Sequence, residues 1–362
     1  MKGTHKMTQD IYRELQERLD MYSVGFPATA SGIEITILKK MFSEEEAWLF
    51  LSLSPMLESP ESVAGRLERP VDETAARLAG MAGKGLLFSF RKGDSVKYGA
   101  IPFVHGLFEF QVSRLDKDFA KLVETYFDGD FYNAMARNAE GFLRTVPIQH
   151  SIETTQNIAA YEDAIAILQK QKIIVITDCI CRKLRNTVDT GCGKLLEACF
   201  MFGSMAQYYI DHNMGREVQL DEAIAILTAA QEAGLVTQPA TSQNPGGMCN
   251  CCGDCCGVLK SLNMFPNPAE LVFSNYYAEI DADACVGCEA CLDPCQMSAL
   301  SMTDSEKSVV DLLRCIGCGL CVTSCPSDAI RLVLKPEGNR RIPPETSAEQ
   351  MMSLASKRGI RF

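Results

Sequence analysis

The residues best suited to chemistry in this 362-residue chain are its 17 cysteines. Eight of them form two runs of the same spacing, C-x-x-C-x-x-C-x-x-x-C, at residues 285–295 and 315–325. A cubane of iron and sulfide needs four thiolates at tetrahedral corners, and the two-residue gaps let one tight loop reach three irons. Gly287, Gly317 and Gly319 allow the backbone to close on the sulfides. The two runs therefore predict two [4Fe-4S] clusters.

Zinc and disulfides are the alternatives for these two runs. Zinc sites rarely use four evenly spaced cysteines in one run. Disulfides do not explain why the same spacing occurs twice. We therefore interpret both runs as iron–sulfur ligands.

The stretch from about residue 278 to 334 resembles the bacterial two-cluster ferredoxins along its whole length. The resemblance implies that the fourth ligand of each cluster comes from the other run. The first run departs from the family pattern because Gln296, not proline, follows its fourth cysteine, and Pro294 precedes that cysteine. This departure affects the expected loop shape and leaves the ligation unchanged. The implied ligand sets are Cys285, Cys288, Cys291 and Cys325 for one cluster, and Cys315, Cys318, Cys321 and Cys295 for the other.

The other nine cysteines lie in the middle third of the chain. Two follow the apolar run K-I-I-V-I-T at 172–177, which predicts a short buried strand. Two more are expected on a helix that starts at the glycines of 191–193. Five stand in C-N-C-C-G-D-C-C, just before a predicted helix, where free N–H groups and the helix dipole stabilise thiolates. The nine residues, predicted to bind metal, are Cys179, Cys181, Cys192, Cys199, Cys249, Cys251, Cys252, Cys255 and Cys256.

The spacing of these nine cysteines leaves several kinds of site open. Structural zinc and a reactive dithiol site are two alternatives. Adjacent cysteine pairs suit neither a simple zinc knuckle nor a strain-free disulfide, so at least one further iron–sulfur cluster is favoured. Nine thiols suffice for two clusters with one thiol left over, or for one cluster with an open iron and spare thiols. Arg182 and Lys183 add positive charge near the first pair.

Residues 33–103 show helical patterns followed by a predicted two-stranded hairpin. Ser43 precedes three glutamates, as at a helix start, and R-K-G-D at 91–94 predicts the hairpin turn. This order resembles a winged helix-turn-helix. The resemblance implies that the helix at 71–83 is the recognition helix and that residues 91–97 form the wing.

The charge of this region disfavours a role in reading DNA. Residues 1–130 contain 16 Lys and Arg against 20 Asp and Glu, a balance of 16 − 20 = −4. Arg77 is the only base inside the implied recognition helix, whereas a DNA-reading domain normally has a basic face. Packing or homodimerisation through the winged helix is the favoured prediction, with DNA as a less favoured partner.

The cysteine order C-x-C-R, two single cysteines and C-N-C-C-x-x-C-C is similar to that of a family of anaerobic 4Fe-4S-binding proteins. This family fuses a winged helix, the Cys-rich domain and a two-cluster ferredoxin, and the resemblance implies a redox function. We predict an α+β protein whose middle domain is mainly helical. The predicted domains are an N-terminal helix and loop (1–32), a winged-helix-like domain with its following helix (33–130), the Cys-rich iron–sulfur domain (131–274), the 2x[4Fe-4S] ferredoxin domain (275–335) and a C-terminal tail helix (336–362).

Composition narrows the class of protein further. The net charge is −11, which disfavours nonspecific nucleic-acid binding by the whole molecule. The charged N-terminus has no apolar signal segment, and no apolar run approaches 18 residues, so a cytoplasmic protein without a membrane span is expected. There is no phosphate-binding loop, and no catalytic residue could be named. The histidines His5, His105, His150 and His212 are scattered without metal-ligand spacing.

Three functions are compatible with these features. The first is transfer of low-potential electrons through the ferredoxin clusters to or from an additional cluster in the middle domain, with a redox partner protein. The second is an oxidoreductase that reduces a small molecule at the middle cluster. The third is a redox-responsive DNA-binding regulator, which the acidic balance disfavours.

Overall fold

The computed structural model describes residues 10–54, 56–152 and 159–361, without the side chains of His150 and Ile152. His5 and the His150 side chain, which belong to the scattered histidines without metal-ligand spacing, lie outside this description. The chain divides into two compact units, Met1–Ala134 with Ala355–Phe362, and Met135–Leu354. Among the described residues, no helix combines the length and apolar character needed to cross a membrane.

The first unit consists of helices and one hairpin. Asp10 caps the first helix by accepting a hydrogen bond from the Tyr12 amide at 3.0 Å. Ser43 and Glu46 form a complete capping box at the start of the third helix, as the sequence pattern predicts. The elements are α1 (Ile11–Asp20), α2 (Ile33–Met41), α3 (Glu44–Leu51), α4 (Pro60–Leu67), α5 (Val71–Gly83), β1 (Phe88–Lys92), β2 (Ser95–Gly99), a 3-10 helix (Glu109–Gln111), α6 (Lys117–Asp128) and the start of α7 (Phe131–Phe142).

An aromatic cluster forms part of the core of this unit. Phe26 and Phe103 lie with ring centroids 4.4 Å apart, and Tyr126 packs on Phe26 at 5.0 Å. All three side chains are buried. The predicted helix 71–83 and the hairpin that follows are confirmed as α5 and the antiparallel pair β1–β2. The order of helices and hairpin agrees with the predicted one.

The N-terminal part of the second unit is built on a five-stranded antiparallel sheet. One face of this sheet packs against two helices through a buried apolar cluster that includes Ile176, Phe200, Met248 and Leu227. The elements are α8 (Gln149–Ile152), α9 (Ala164–Gln169), β3 (Ile174–Asp178), α10 (Ile180–Thr187), β4 (Glu197–Phe202), α11 (Gly203–Asp211), β5 (Arg216–Glu217), α12 (Leu220–Glu232), β6 (Val236–Pro239), β7 (Gly247–Cys251) and α13 (Gly257–Asn263). The strand order is β5-β3-β4-β7-β6.

This sheet corrects part of the sequence interpretation. The predicted strand at 172–177 is present as β3, but the glycines of 191–193 do not start a helix. They lie in a loop, and Cys199 stands in the central strand β4 instead of on a helix. The description of a mainly helical domain therefore missed the sheet. Strand β4 is stabilised by pairing with β3 and β7, and the β7 partner is distant in sequence.

The C-terminal part of the second unit contains two short antiparallel strand pairs related by the internal repeat. The Cys285 amide donates to the Asp281 carbonyl at 3.0 Å, and the Cys315 amide donates to the Asp311 carbonyl at 2.9 Å. The two loops are therefore held in the same way, 30 positions apart. The elements are a 3-10 helix (Pro268–Leu271), β8 (Tyr276–Ile280), β9 (Leu300–Met302), β10 (Ser308–Val310), α14 (Leu320–Thr323), β11 (Ile330–Leu334), a 3-10 helix (Glu337–Asn339) and α15 (Ser347–Lys357).

The predicted tail helix is present as α15, and a capping box lies at its N-terminus. The Glu349 amide donates to Thr346 Oγ1, and the Thr346 amide donates to the Glu349 carboxylate, both at 3.2 Å. Farther along α15, the Gln350 amide group donates to the carbonyls of Gly141 and Phe142. These bonds attach the helix to the end of α7.

Candidate metal centres

The eight cysteines of the two repeated runs line two separate cavities. Each cavity contains three cysteines of one run and the last cysteine of the other run. The grouping is thus the one that the ferredoxin resemblance implies. The first-run cavity is lined by Cys285, Cys288, Cys291 and Cys325, and the second-run cavity by Cys315, Cys318, Cys321 and Cys295.

Backbone amides around both cavities donate to thiol sulfurs. The Ala299 amide lies 3.2 Å from Cys295 Sγ, and the Ala329 amide lies 3.3 Å from Cys325 Sγ. Gly317 has φ +66°, and a Cβ there would collide with the Tyr276 carbonyl, so only glycine fits this loop. Hydrogen bonds to cluster sulfurs are one of the features that set the potential of such a cluster. The residues therefore fit two cubanes chemically.

The two cavities differ in their access to solvent. Cys288, in the first-run cavity, is exposed, and its neighbour Val286 is 67% exposed. Burial raises the pKa of Cys318 to about 12 and raises the pKa of Cys321 strongly. A buried thiol of this kind becomes a thiolate readily only with a cation or metal beside it. The first-run cavity is the outer one and the second-run cavity the inner one.

Six of the nine middle cysteines form one connected group, called here the six-cysteine group. Cys199 on β4 lies directly opposite Cys249 on β7, and Cys179 is the N-cap residue of α10. Hydrogen bonds from Cys181 and Cys199 lower the pKa of Cys179 well below its ordinary value, and the charge of Arg182 adds to this effect. The members are Cys179, Cys181, Cys199, Cys249, Cys251 and Cys256.

The remaining three cysteines form a compact group, called here the cysteine trio: Cys192, Cys252 and Cys255. Their three Sγ atoms all lie within 4.8 Å of one another, and Cys192 Sγ is 3.7 Å from Cys252 Sγ. Hydrogen bonding to Cys255 lowers the pKa of Cys252 to about 5, although burial opposes this shift. Three thiols this close together are a plausible metal site in their own right.

The two groups lie on opposite faces of the sheet. Neighbouring residues of a strand point to opposite faces. On β4, Cys199 belongs to the six-cysteine group, whereas the adjacent Ala198 packs with Cys252 and Cys255 of the trio. The trio therefore lies on the face of the sheet that packs against α12, and the six-cysteine group lies on the other face.

Arg182 is the charged residue that both groups share. Its side chain is 1% exposed, and one Nη donates to the Asn250 carbonyl at 2.9 Å. Burial disfavours its charge, but the thiolates of Cys179, Cys199, Cys251 and Cys252 outweigh burial and raise the pKa of Arg182.

The other nitrogens of Arg182, Nε and Nη2, are buried without a hydrogen-bond partner. Unsatisfied buried donors on a charged group are costly, and an anionic sulfide-rich group is a suitable partner for them. The neighbouring Lys183 is different, because its ammonium pairs with Asp178 at 2.9 Å. Of the two bases noted in the sequence, Arg182 is therefore the one whose positive charge compensates the negative charge of the thiolates.

Gln296 connects the inner ferredoxin cavity with the trio. It follows Cys295 directly, and its Oε1 accepts a hydrogen bond of 2.7 Å from the amide of Gly253, which lies between Cys252 and Cys255. A Cβ at Gly253 would lie 2.8 Å from the Gln296 carbonyl, so glycine permits this close approach. One sequence signal of this contact is the glutamine in place of the expected proline, which by itself predicts only a change of loop shape.

Further hydrogen bonds hold the two parts together. Asn263 donates to the Gln296 carbonyl at 2.9 Å and accepts from Arg314 at 3.0 Å, and Arg314 also donates to the Met297 carbonyl. Arg314 directly precedes Cys315. The contact between the ferredoxin loops and the middle loop is therefore a network of fixed geometry.

The implied recognition helix α5 of the first unit has little available positive charge. Arg77 forms ion pairs with Glu45 and with Glu73. Arg69, just before the helix, lies 3.6 Å from Glu45 and stacks over the Trp48 ring at 4.5 Å. Both arginines pair with glutamates of the first unit. They therefore offer little positive charge for the phosphates of DNA.

Comparison with known proteins gives one match. Residues 278–332 match the family described as a 4Fe-4S dicluster domain. No curated protein and no solved structure matches the chain. The matched stretch agrees with the predicted two-cluster ferredoxin region. Together with the Cys-rich middle segment, it indicates iron–sulfur electron transfer.

Proposed function

We propose that this chain transfers electrons between a protein partner and a further iron–sulfur cluster, held by the six-cysteine group, through two ferredoxin clusters. The observation that carries the proposal is the Gln296–Gly253 hydrogen bond of 2.7 Å. It joins the residue after Cys295 to the loop between Cys252 and Cys255. Because Cys252 directly follows Cys251 of the six-cysteine group, this contact supports an electron path from the inner ferredoxin cavity to that group.

The outer end of the proposed path is the first-run cavity. Cys288 is exposed there, and the Glu306 backbone approaches Gly287 beside it. The surrounding surface is acidic and suits a redox partner with a basic rim around its own cofactor. The exposed acids near this cavity are Asp281, Asp283, Glu289, Asp304 and Glu306.

The inner end is the six-cysteine group. It offers more thiols than the four that one cubane needs, and Arg182 beside it supplies a buried cation with two unpaired donors. When bound, an iron–sulfur cluster would supply one-electron redox chemistry at this place. The chain's own contribution is to bury the thiols and to compensate their charge through Arg182.

Gln296→Ala tests the proposed path. The substitution removes the hydrogen bond to Gly253 and leaves all thiols in place, so electron transfer between ferredoxin and middle domain should slow several-fold. Freeze-quench EPR after photoreduction of the anaerobic protein measures this rate. Pro326→Ala is the matched control, because Pro326 follows Cys325 at the equivalent place of the repeat, and its rate should equal that of the wild type. Equal rates in both variants would exclude the Gln296 route.

The first unit is proposed to be a winged helix used for packing or homodimerisation. The ion pairs of Arg77 support this role over DNA reading. Several apolar side chains of the unit are exposed, among them Met56 at 73% and Val71 at 42%. Such side chains favour a protein contact over a nucleic-acid contact.

This role predicts that the full chain does not retard DNA in a gel, even at low ionic strength. DNA binding by this unit would instead be steeply salt-dependent, because released counterions drive it. The matched variant carries Arg91→Glu, Lys92→Glu and Lys97→Glu in the hairpin. Retardation of genomic fragments that disappears in this variant would revive the regulator hypothesis.

A second candidate function is an oxidoreductase that acts on a small molecule in the middle domain. The observation in its favour is the cysteine trio, which contributes only three ligand atoms within the described part of the chain. A metal held by three protein ligands keeps a position for substrate. Electron transfer is the better supported function, because the family match and the Gln296–Gly253 hydrogen bond both favour it.

A further inference from the structure

We propose that Cys192, Cys252 and Cys255 bind a single divalent thiophilic cation, Zn²⁺ or Fe²⁺, whose fourth coordination position takes an exogenous ligand. The site is separate from the six-cysteine group because it lies on the α12 face of the sheet. It goes beyond the electron-transfer function and does not depend on it.

The spacing of the sulfurs indicates one ion and not a cubane. A tetrahedral ion with metal–sulfur bonds of about 2.3 Å places its thiolates roughly 3.8 Å apart. Cys192 Sγ and Cys252 Sγ are 3.7 Å apart, and Cys255 Sγ lies within 4.8 Å of both. A cubane inserts irons and sulfides between its thiolates and holds them farther apart. Between residues 10 and 361, outside the masked positions, no other trio of potential ligands is this compact.

The number of ligands indicates an open site. Structural zinc sites have four protein ligands, whereas sites that bind water or substrate have three. No fourth Cys, His, Asp or Glu among the described residues joins the trio. Asp254 stands in the same loop but is exposed. The nearby Lys194 ammonium donates to the Ala233 carbonyl at 2.8 Å.

Burial and charge define which ligand fits. Cys252 and Cys255 are buried, whereas Cys192 is partly exposed and flanked by two glycines, so a small ligand can approach from its side. Three thiolates and one divalent cation carry a net charge of −1, and Arg182 lies near Cys252 to compensate it. Soft thiolate surroundings select soft metals and tolerate a further sulfur donor. The fourth position therefore suits water or a small thiol.

Metal and sulfide analysis of the full chain, purified anaerobically without added thiols, tests the single ion. Cys192→Ser and, as a second variant, Cys255→Ser should each lose one zinc or one iron per chain and no sulfide. Cys181→Ala is the contrasting variant and should lose about four irons together with about four sulfides. Unchanged ferredoxin EPR signals show that each variant is folded.

Loss of about four irons and four sulfides in the Cys192 variant would overturn the single-ion assignment in favour of a cubane. Unchanged metal content in both serine variants would show that the trio binds no metal.

X-ray absorption at the zinc edge, or Mössbauer spectra if the ion is iron, tests the open position. The expected coordination is three sulfurs and one oxygen, changing to four sulfurs when 2-mercaptoethanol is added. In the iron case a high-spin ferrous doublet should shift on the same addition. Four sulfurs before any thiol is added would show a closed structural site and refute the exchangeable position. A spectrum that does not respond to the thiol would refute it as well.

Discussion

Replacement of Cys325 by serine should abolish the normal cluster signal of the first run and spare that of the second run. Cys325 belongs to the second run in sequence, but it lines the same cavity as Cys285, Cys288 and Cys291. Serine is a poor ligand for iron in place of a thiolate, so the affected cluster should be lost or lose one iron. EPR spectra of the reduced protein, together with iron analysis, measure which cluster is affected.

Cys295→Ser is the mirror-image variant and should have the reverse effect. Its sulfur lines the second-run cavity with Cys315, Cys318 and Cys321. The two variants are well matched, because each thiol sulfur accepts a hydrogen bond from the backbone amide four residues later in the chain. If Cys325→Ser instead removed the second-run signal, the crossed ligand sets would be wrong.

Cys181→Ala should remove about four irons, those of the cluster proposed for the six-cysteine group. The irons of the two ferredoxin clusters, about eight in all, should stay. Cys181 interacts with Cys179 and with Cys256, so it joins the α10 side of the six-cysteine group to the loop before α13. Its loss removes a ligand at the point where two distant segments meet. Iron and sulfide per chain, with Mössbauer spectra of the anaerobic protein, measure the effect.

Lys183→Ala is the control on the same helix. Its ammonium pairs with Asp178 and not with a thiolate, so its iron content should equal that of the wild type. Full iron and sulfide in the Cys181 variant would refute a further cluster in the middle domain. Stoichiometric zinc on the six-cysteine group would refute it equally.

The ferredoxin part could be predicted from sequence because its ligands are set by local spacing. Three thiolates of each cluster lie within seven residues, and the fourth follows from the repeat of the same loop. Helices such as α3 and α5 were also predictable, because the capping box of α3 and the apolar periodicity of both helices are local. These features need no information about distant pairing.

The division of the middle cysteines could not be predicted in the same way. It depends on β4 being a strand, since only a strand turns Ala198 and Cys199 to opposite faces. That strand lies between β3 and β7, and its pairing with β7 brings Cys199 opposite Cys249, 50 positions away. The residues around Cys192 and Cys199 carried a weak helix signal instead. Pairing with β3 and β7 makes the segment around Cys199 a strand despite this local signal.

The position of Arg182 between two groups of thiols couples charge at the trio to the potential of the cluster proposed for the six-cysteine group. One buried positive charge is shared by both faces of the sheet, and charges interact more strongly in the interior than in water. An electron added on one face attracts the guanidinium and leaves less compensation for the other face. A ligand that adds negative charge at the trio would therefore lower the potential of a cluster on the opposite face, and because linkage is reciprocal, reduction of that cluster would weaken binding of the ligand.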